Sequence, residues 1–176
     1  EYEVKATFFA VEFWAEKYPD YCKKIAAAGH EIGTHSRTHP KMSELTKEQI
    51  QSELKTSCET IENVTGKKVD LFRPPFGDYD DKVITAAENL GLYTIQWNFD
   101  SLDLKNLSAE QIAARVIKKA GSGSIILMHN NGLHTAESLP LIFTATQQKG
   151  LVYRPISELI YTDDFRITPD GTQIKN

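Results

Sequence analysis

The sequence of 176 residues lacks any apolar run near the roughly 18 residues that a membrane-spanning helix needs. It also lacks a cluster of lysine and arginine, and its formal net charge is −4. Proteins that bind nucleic acid neutralise the phosphates with such clusters. We therefore expect no membrane span in this chain and no nucleic-acid partner, whereas a neutral substrate such as an uncharged glycan is compatible with the charge.

Cysteine is scarce, since the chain contains only Cys22 and Cys58. Both occupy apolar positions of helical patterns, so we predict two buried small side chains rather than a disulfide. Neither residue settles the cellular compartment. The length of the chain suits a domain that buries its own core without disulfide or metal support.

One pattern recurs along the chain: a short apolar run, a polar loop and an amphipathic stretch that ends at glycine. The predicted strands cover residues 4–9, 30–34, 71–72, 92–97, 124–128 and 151–153. Capping boxes at Thr46 with Gln49 and at Ser108 with Gln111 begin two of the helices between them. This alternation predicts right-handed βαβ units and a parallel sheet, open or closed into a barrel. We predict a domain over 1–161 followed by a polar C-terminal tail over 162–176.

Histidine, arginine or aspartate side chains follow four consecutive predicted strands. His35 and His39 come after the second strand, Arg73 after the third, Asp103 after the fourth and His129 after the fifth. Active sites of parallel α/β folds lie at the carboxyl ends of the strands. The sequence therefore predicts that these residues contribute to a functional site.

His35 and His39 form an H-x-x-x-H pair. On a helical turn this spacing places both imidazoles on one face, where two neutral nitrogens can bind one cation. Gly33 before the pair and Pro40 after it indicate a constrained loop turn at the end of a strand. A pair of surface histidines is the alternative interpretation.

The sequence Arg-Pro-Pro-Phe-Gly over residues 73–77 predicts a rigid loop. Pro74 and Pro75 restrict the backbone and lack an N–H group, so the first free amide after Arg73 is that of Phe76. Such an amide can stabilise a developing oxyanion, and an arginine can orient a carboxylate through two hydrogen bonds. An ordinary proline-rich turn is the alternative.

Asp100 and Asp103 follow one strand, and His129 directly follows a very apolar one. Aspartates at such positions also serve as turn or cap residues, and a buried histidine is usually satisfied within the core. Close to a metal and a carboxylate, however, a histidine can act as a general acid. Both interpretations are open on these residues alone.

Five blocks in order carry a family resemblance: K-A-T-F-F (5–9), G-H-E-I-G-T-H-S-x-T-H-P (29–40), R-P-P-F-G (73–77), W-x-x-D-S-x-D (97–103) and I-x-L-x-H (125–129). In these blocks the chain resembles the polysaccharide deacetylases, the NodB-homology enzymes of carbohydrate esterase family 4. The resemblance runs from Val4 to about Tyr161. It implies a distorted (β/α)7-type barrel.

The resemblance also implies a divalent metal, most commonly zinc with cobalt or nickel as alternatives, held by an aspartate together with His35 and His39. Arg73 would orient the catalytic base, which is another aspartate. The Phe76 amide, next to Pro75, would help to stabilise the oxyanion of the substrate.

Further roles follow from the same resemblance. Asp103 would tune His129, the general acid that protonates the departing amine. Leu127 would line the pocket for the acetyl methyl group. Leu104 stands where the family usually has tryptophan, and would change one wall of the substrate pocket.

The activity that the resemblance implies is removal of N-acetyl groups from a GlcNAc-type polysaccharide, such as peptidoglycan or chitin, at the cell envelope or outside the cell.

The family's first block, T-F-D-D, supplies the base and metal aspartates, and this sequence starts after it. We therefore expect the first strand and helix to be absent, and the 176 residues alone to be inactive. A segment of the same or another chain would complete the site. The alternatives are a non-catalytic glycan-binding or metal-binding domain derived from such an enzyme, and an esterase acting on O-acetylated xylan.

Overall fold

Four short parallel strands, hydrogen-bonded in their order along the chain, form the main sheet. They are β1 (Thr7–Ala10), β2 (Glu31–Thr34), β3 (Leu71–Phe72) and β4 (Tyr93–Thr94). The computed structural model describes residues 2–168 and 170–176, which divide into two compact units. The larger unit contains this sheet and consists of Lys5–Gln96 and Pro155–Asn176, and the smaller unit consists of Trp97–Arg154 with the first residues of the chain.

Along the chain, four helices of the larger unit alternate with the strands of its sheet, as the sequence predicts. They are α1 (Glu12–Lys17), α2 (Pro19–Ala27), α3 (Lys47–Thr65) and α4 (Asp81–Glu88), with 3-10 turns at Met42–Glu44 and Pro75–Gly77. The predicted capping box begins α3, and Gly66 ends it in the left-handed conformation. Ile50, Leu54 and Ile61 of α3 are fully buried in the core of this unit. The longest helix is therefore anchored along one face.

The smaller unit contains two parallel strands and two helices. They are β5 (Phe99–Asp100), α5 (Ala109–Lys119), β6 (Ile126–Leu127) and α6 (Thr135–Gln148). The predicted capping box begins α5. The predicted strand over 151–153 is wrong: the Leu151 amide bonds to the Thr146 carbonyl and closes the end of α6, and Val152 is largely exposed.

The C-terminal segment follows α7 (Ile156–Leu159) in the larger unit. The polar tail expected over 162–176 contains an antiparallel hairpin of β7 (Phe165–Ile167) and β8 (Gln173–Lys175). The Tyr161 amide donates a hydrogen bond to Gln173 Oε1. The domain boundary at residue 161 remains a prediction.

Cys22 and Cys58 are both free thiols. Cys22 is buried in the core, as predicted, and Cys58 is half-buried against it. Burial raises the pKa of both thiols, that of Cys58 to about 12 with further contributions from Glu62, Glu59 and Asp70. Among the helices of residues 2–168 and 170–176, none has the length and apolar character required to cross a bilayer.

Gly33 lies where β2 passes close to both of its neighbours. A Cβ atom there would be 2.7 Å from Phe9 Cε1 and 2.8 Å from the Leu71 carbonyl oxygen. Because the second contact is with backbone, it cannot be relieved by a rotamer change. We expect Gly33→Ala to lower the free energy of unfolding by about 2 kcal/mol, measured by urea denaturation.

Gly121→Ala is the matched control, since a methyl group at Gly121 meets no atom within 4 Å. Equal stability of the two variants would contradict the packing argument for Gly33.

Candidate active site

The H-x-x-x-H pair lies in an irregular loop that follows β2. The helical turn considered for this spacing does not form, and the constrained loop turn indicated by its flanking residues does. Pro40 disfavours a right-handed helical backbone at His39, and both Ser36 (φ 70°) and His39 (φ 60°) have positive φ angles. The His35 amide donates to the Ala10 carbonyl at 2.8 Å, which extends the pairing of β2 with β1.

The two imidazole rings meet edge to face, with ring centroids 4.9 Å apart and an angle of 72° between their planes. His35 Nδ1 is 2.6 Å from the Arg73 carbonyl oxygen. Because a carbonyl only accepts, Nδ1 carries the hydrogen, and Nε2 of the neutral ring keeps its lone pair for a ligand. The pair thus fits two positions of a metal site. Among the residues that the structure describes, no group of three or more His, Cys, Asp or Glu side chains is placed to hold a metal ion.

A chain of hydrogen bonds connects the loop to helix α3. The His39 amide donates to Ser36 Oγ at 2.9 Å, and the Ser36 amide donates to Thr34 Oγ1 at 3.2 Å. Thr34 Oγ1 in turn donates to Ser57 Oγ at 2.7 Å. Thr34, Ser36 and Ser57 are fully buried. Sequence reasoning missed these supporting residues because their role depends on tertiary contacts.

Arg73 follows β3 and is buried, with 7% of its surface exposed. Its guanidinium carbon lies 4.3 Å from the centroid of the Phe9 ring. Burial lowers the pKa of Arg73 to about 10, so the side chain remains charged at neutral pH. The backbone carbonyl of the same residue binds His35, as described above.

The expected rigid loop after Arg73 is a 3-10 turn. The amides of Gly77 and Asp78 donate to the carbonyls of Pro74 and Pro75. Phe76 has a φ of 59°, and its largely exposed ring packs edge-on against His39 with centroids 4.6 Å apart. The structure therefore brings this loop into contact with the histidine pair.

Asp103 and His129 form a close pair within the smaller unit. The carboxylate accepts the His129 amide at 2.6 Å and the His129 Nδ1–H at 2.9 Å. It also accepts the Thr135 hydroxyl at 2.7 Å. Asp103 is 2% exposed. Burial raises its pKa, but the hydrogen bonds from His129 and Thr135 outweigh this effect and lower the pKa to about 2.

Thr135, the first residue of α6, is a further part of this arrangement that sequence reasoning missed. Gly132 explains how it reaches Asp103: a methyl group at Gly132 would overlap the Thr135 hydroxyl and would lie 3.2 Å from Asp103 Oδ2. The sequence Asn-Gly-Leu-His-Thr suggests only a turn before a helix. Only the close approach of backbone and carboxylate shows why glycine is needed.

The remaining predicted site residues are Leu127, Leu104 and Pro75. Leu127 ends β6 two residues before His129, is half-buried, and accepts the Ser101 amide at 3.1 Å. Leu104 is next to Asp103 and is 49% exposed. Pro75 is buried in the 3-10 turn.

Left-handed backbone is concentrated in the candidate loops. Of the seven non-glycine residues with positive φ among those described, four lie there: Ser36, His39, Phe76 and Leu102. Each such residue costs about 1–2 kcal/mol. Because this cost persists only where the surroundings enforce it, such residues cluster at functional sites. The backbone thus marks three of the predicted loops independently of their side-chain chemistry.

The acid stability of the protein should depend on Asp103. Its pKa is about 2 in the folded state, against about 3.9 for an unfolded aspartate. The folded state therefore takes up the proton at lower pH, and stability of roughly 2 kcal/mol is present above about pH 5 and lost as the pH falls towards 2. Urea denaturation between pH 7 and pH 3 measures this loss. The stability difference between the wild type and Asp103→Asn should shrink on acidification, and a constant difference would contradict the assignment.

A family model for polysaccharide deacetylases matches residues 1–95 of the sequence. The chain belongs to the polysaccharide deacetylase family. It is 38% identical to YlxY, an uncharacterised protein of Bacillus subtilis, over 91% of this chain and 50% of that protein. It is 31% identical to PdaA of B. subtilis, a peptidoglycan-N-acetylmuramic acid deacetylase, over 95% of this chain and 65% of that protein.

Among solved structures, the chain resembles a carbohydrate esterase family 4 pseudoenzyme from Bacillus anthracis, with a TM-score of 0.86 and 35% identity. The match covers 89% of this chain and 56% of that one. The chain thus spans between half and two thirds of the length of these three relatives. The likeness confirms the predicted NodB-like α/β fold class.

Proposed function

We propose that the protein is a metal-dependent polysaccharide N-deacetylase that acts on GlcNAc-type glycans of the peptidoglycan or chitin kind. The observation that carries this proposal is the Asp103–His129 pair. A buried carboxylate that accepts the His129 Nδ1–H leaves Nε2 as the nitrogen that can exchange a proton with a substrate. Because the chain belongs to the deacetylase family, the reaction in which this pair would act is the removal of an acetyl group.

His35 and His39 would bind the metal through their ring nitrogens. Neutral imidazole suits zinc, and cobalt and nickel accept the same donors. When bound, a divalent metal supplies a Lewis acid for an acetyl carbonyl. The Arg73 carbonyl fixes the ring tautomer of His35 for this role.

The loop after β3 would stabilise the oxyanion and orient the catalytic base during the reaction. The amide of Phe76 is the first N–H after Arg73, because two prolines intervene. It would donate a hydrogen bond to the oxyanion that develops on the acetyl carbonyl. The buried guanidinium of Arg73 would orient the carboxylate of the catalytic base, with Pro75 holding the turn in place.

In the hydrolysis a water molecule would add to the acetyl carbonyl while the base takes one of its protons. The C–N bond would then break as His129 protonates the departing amine, so that the products are acetate and a glucosamine unit. Asp103 would fix the orientation of the His129 ring during this transfer. Leu127 would line the pocket for the acetyl methyl group, and Leu104 would form one wall of the sugar site. Within this proposal, residues 1–161 form the deacetylase domain, and the protein works at the cell envelope, where peptidoglycan lies.

Acetate release tests the proposal. The protein at its full natural length is incubated with Zn²⁺ and N-acetylglucosamine oligomers, and in parallel with acetylated xylan. We expect acetate from the oligomers and a loss of about 10²-fold or more in His129→Gln. Release from xylan alone would favour an O-acetyl esterase, and release from neither would refute the enzymatic proposal.

The similarity to a pseudoenzyme favours a second candidate, a non-catalytic domain that binds glycan or metal. This candidate predicts glycan binding without release of acetate. Calorimetric titration with the same oligomers, run beside the acetate assay, distinguishes the two functions.

A further inference from the structure

Helix α3 binds the histidine loop through the carboxylate of Glu53, in addition to the contact of Ser57 with Thr34. Glu53 Oε2 accepts hydrogen bonds from the backbone amides of Arg37 at 3.0 Å and Thr38 at 2.8 Å. Glu53 Oε1 accepts the Thr38 hydroxyl at 2.9 Å. Arg37 and Thr38 are the two residues directly before His39. The carboxylate therefore holds the stretch of backbone that determines where the His39 ring lies.

The conformation of the loop explains why an anion is suited to this position. Ser36 and His39, on either side of the two amides, both have positive φ angles. Successive amides that converge on one oxygen form a concave site for a negative charge. Hydrogen bonds to a carboxylate are roughly twice as strong as those to a neutral acceptor. Glu53 thus offsets the conformational cost of the loop.

Helix α3 provides a rigid support for this contact. Leu54, next to Glu53, is fully buried, and so are Ile50 and Ile61. Ser57, one turn after Glu53, binds Thr34 at the end of β2. The loop is therefore fixed to α3 at two points, of which Glu53 binds the backbone amides of the two residues before His39. Glu12 of α1 pairs with the Arg37 side chain at 3.5 Å and does not bind these amides through that contact.

We propose that Glu53 is a positioning residue that keeps the His39 ring against His35 and Phe76. It acts through the amides of Arg37 and Thr38 and does not touch a substrate or metal. In one respect this inference rests on the proposed function: the position of the His39 ring matters for activity only if His35 and His39 bind a metal.

Nuclear magnetic resonance of the metal-free protein at its full natural length tests the positioning role. Glu53→Ala is expected to abolish the ring contacts of His39 with His35 and Phe76, and to speed exchange of the two loop amides by at least about tenfold. Glu53→Gln keeps one acceptor oxygen and should retain part of both signals. Glu59→Ala is the control, since Glu59 lies on the same helix and pairs with Lys55 at 3.9 Å on the surface. Ring contacts that survive in Glu53→Ala would overturn the proposal.

Calorimetric titration of the same variants with Zn²⁺ separates this proposal from the metal site itself. We expect Glu53→Ala to weaken zinc binding about 10- to 100-fold, the range for loss of an outer-shell partner, with no change in Glu59→Ala. Lost ring contacts with unchanged zinc affinity would overturn the metal-binding purpose of the positioning. If the wild type binds no zinc while its ring contacts depend on Glu53, the positioning role is supported and the proposed metal site is refuted.

Discussion

Replacing Asp103 by asparagine is expected to reduce acetate release by about 10²- to 10⁴-fold. The same change should lower the free energy of unfolding by about 3 kcal/mol. The carboxylate accepts three hydrogen bonds, two from His129 and one from Thr135, and is almost completely buried. The amide nitrogen of asparagine is a donor, so at least one of these three donors would lose its acceptor. His129 would then lose its fixed orientation.

Acetate assays and urea denaturation of the Asp103→Asn variant measure the two effects. Asp100→Asn, at the end of β5 and three residues before Asp103, is the matched control. Asp100 Oδ1 accepts the Leu102 amide at 2.8 Å, and the carbonyl oxygen of asparagine can replace it. Equal losses in the two variants would show that the loop tolerates no change, and would remove the argument for a special role of Asp103.

Replacing His39 by glutamine is expected to weaken zinc binding by more than about 100-fold, because loss of only an outer-shell partner already costs 10- to 100-fold. Glutamine approximates the size of histidine but has no ring nitrogen that can bind zinc. The backbone of the loop should persist, since the residue 39 amide still donates to Ser36 Oγ. We therefore expect a nearly unchanged midpoint of thermal unfolding in the absence of metal. Calorimetric titration with Zn²⁺ and a thermal scan give both quantities.

His134→Gln is the control for this substitution. His134 is the N-cap residue before α6 and binds Glu137 at 2.8 Å through Nδ1. Its replacement should leave zinc affinity unchanged. A fall in affinity in the control, or an unchanged affinity in His39→Gln, would contradict the assignment of His39 as a metal ligand.

The sequence was informative wherever a structural preference is local. The two capping boxes and the helix end at Gly66 are short-range patterns, and the structure contains all three. The apolar runs before His35 and Arg73 predict strands β2 and β3 for the same reason. Candidate residues for the site were predicted from their positions directly after strands, because active sites of parallel α/β folds lie at the carboxyl ends of the strands.

What the sequence did not reveal depends on contacts between distant residues. Glu53 and Ser57 look like ordinary polar positions of an amphipathic helix, and Thr135 looks like an ordinary first residue of a helix. The hairpin of β7 and β8 was also missed, because its polar composition hides two short strands that pair with each other. No sequence pattern predicts the left-handed conformation of Phe76, because glycine or asparagine is the usual residue in that conformation.

The contact between Arg73 and His35 has a consequence for how such proteins diverge. Any amino acid at position 73 has a carbonyl, so a substitution there can remove the guanidinium and still leave His35 anchored. Under the proposed function, a descendant could in this way lose the orientation of its base while His35 keeps its hydrogen bond to the residue 73 carbonyl. Under that proposal, loss of the reaction and loss of the His35 hydrogen bond are therefore separable at this position.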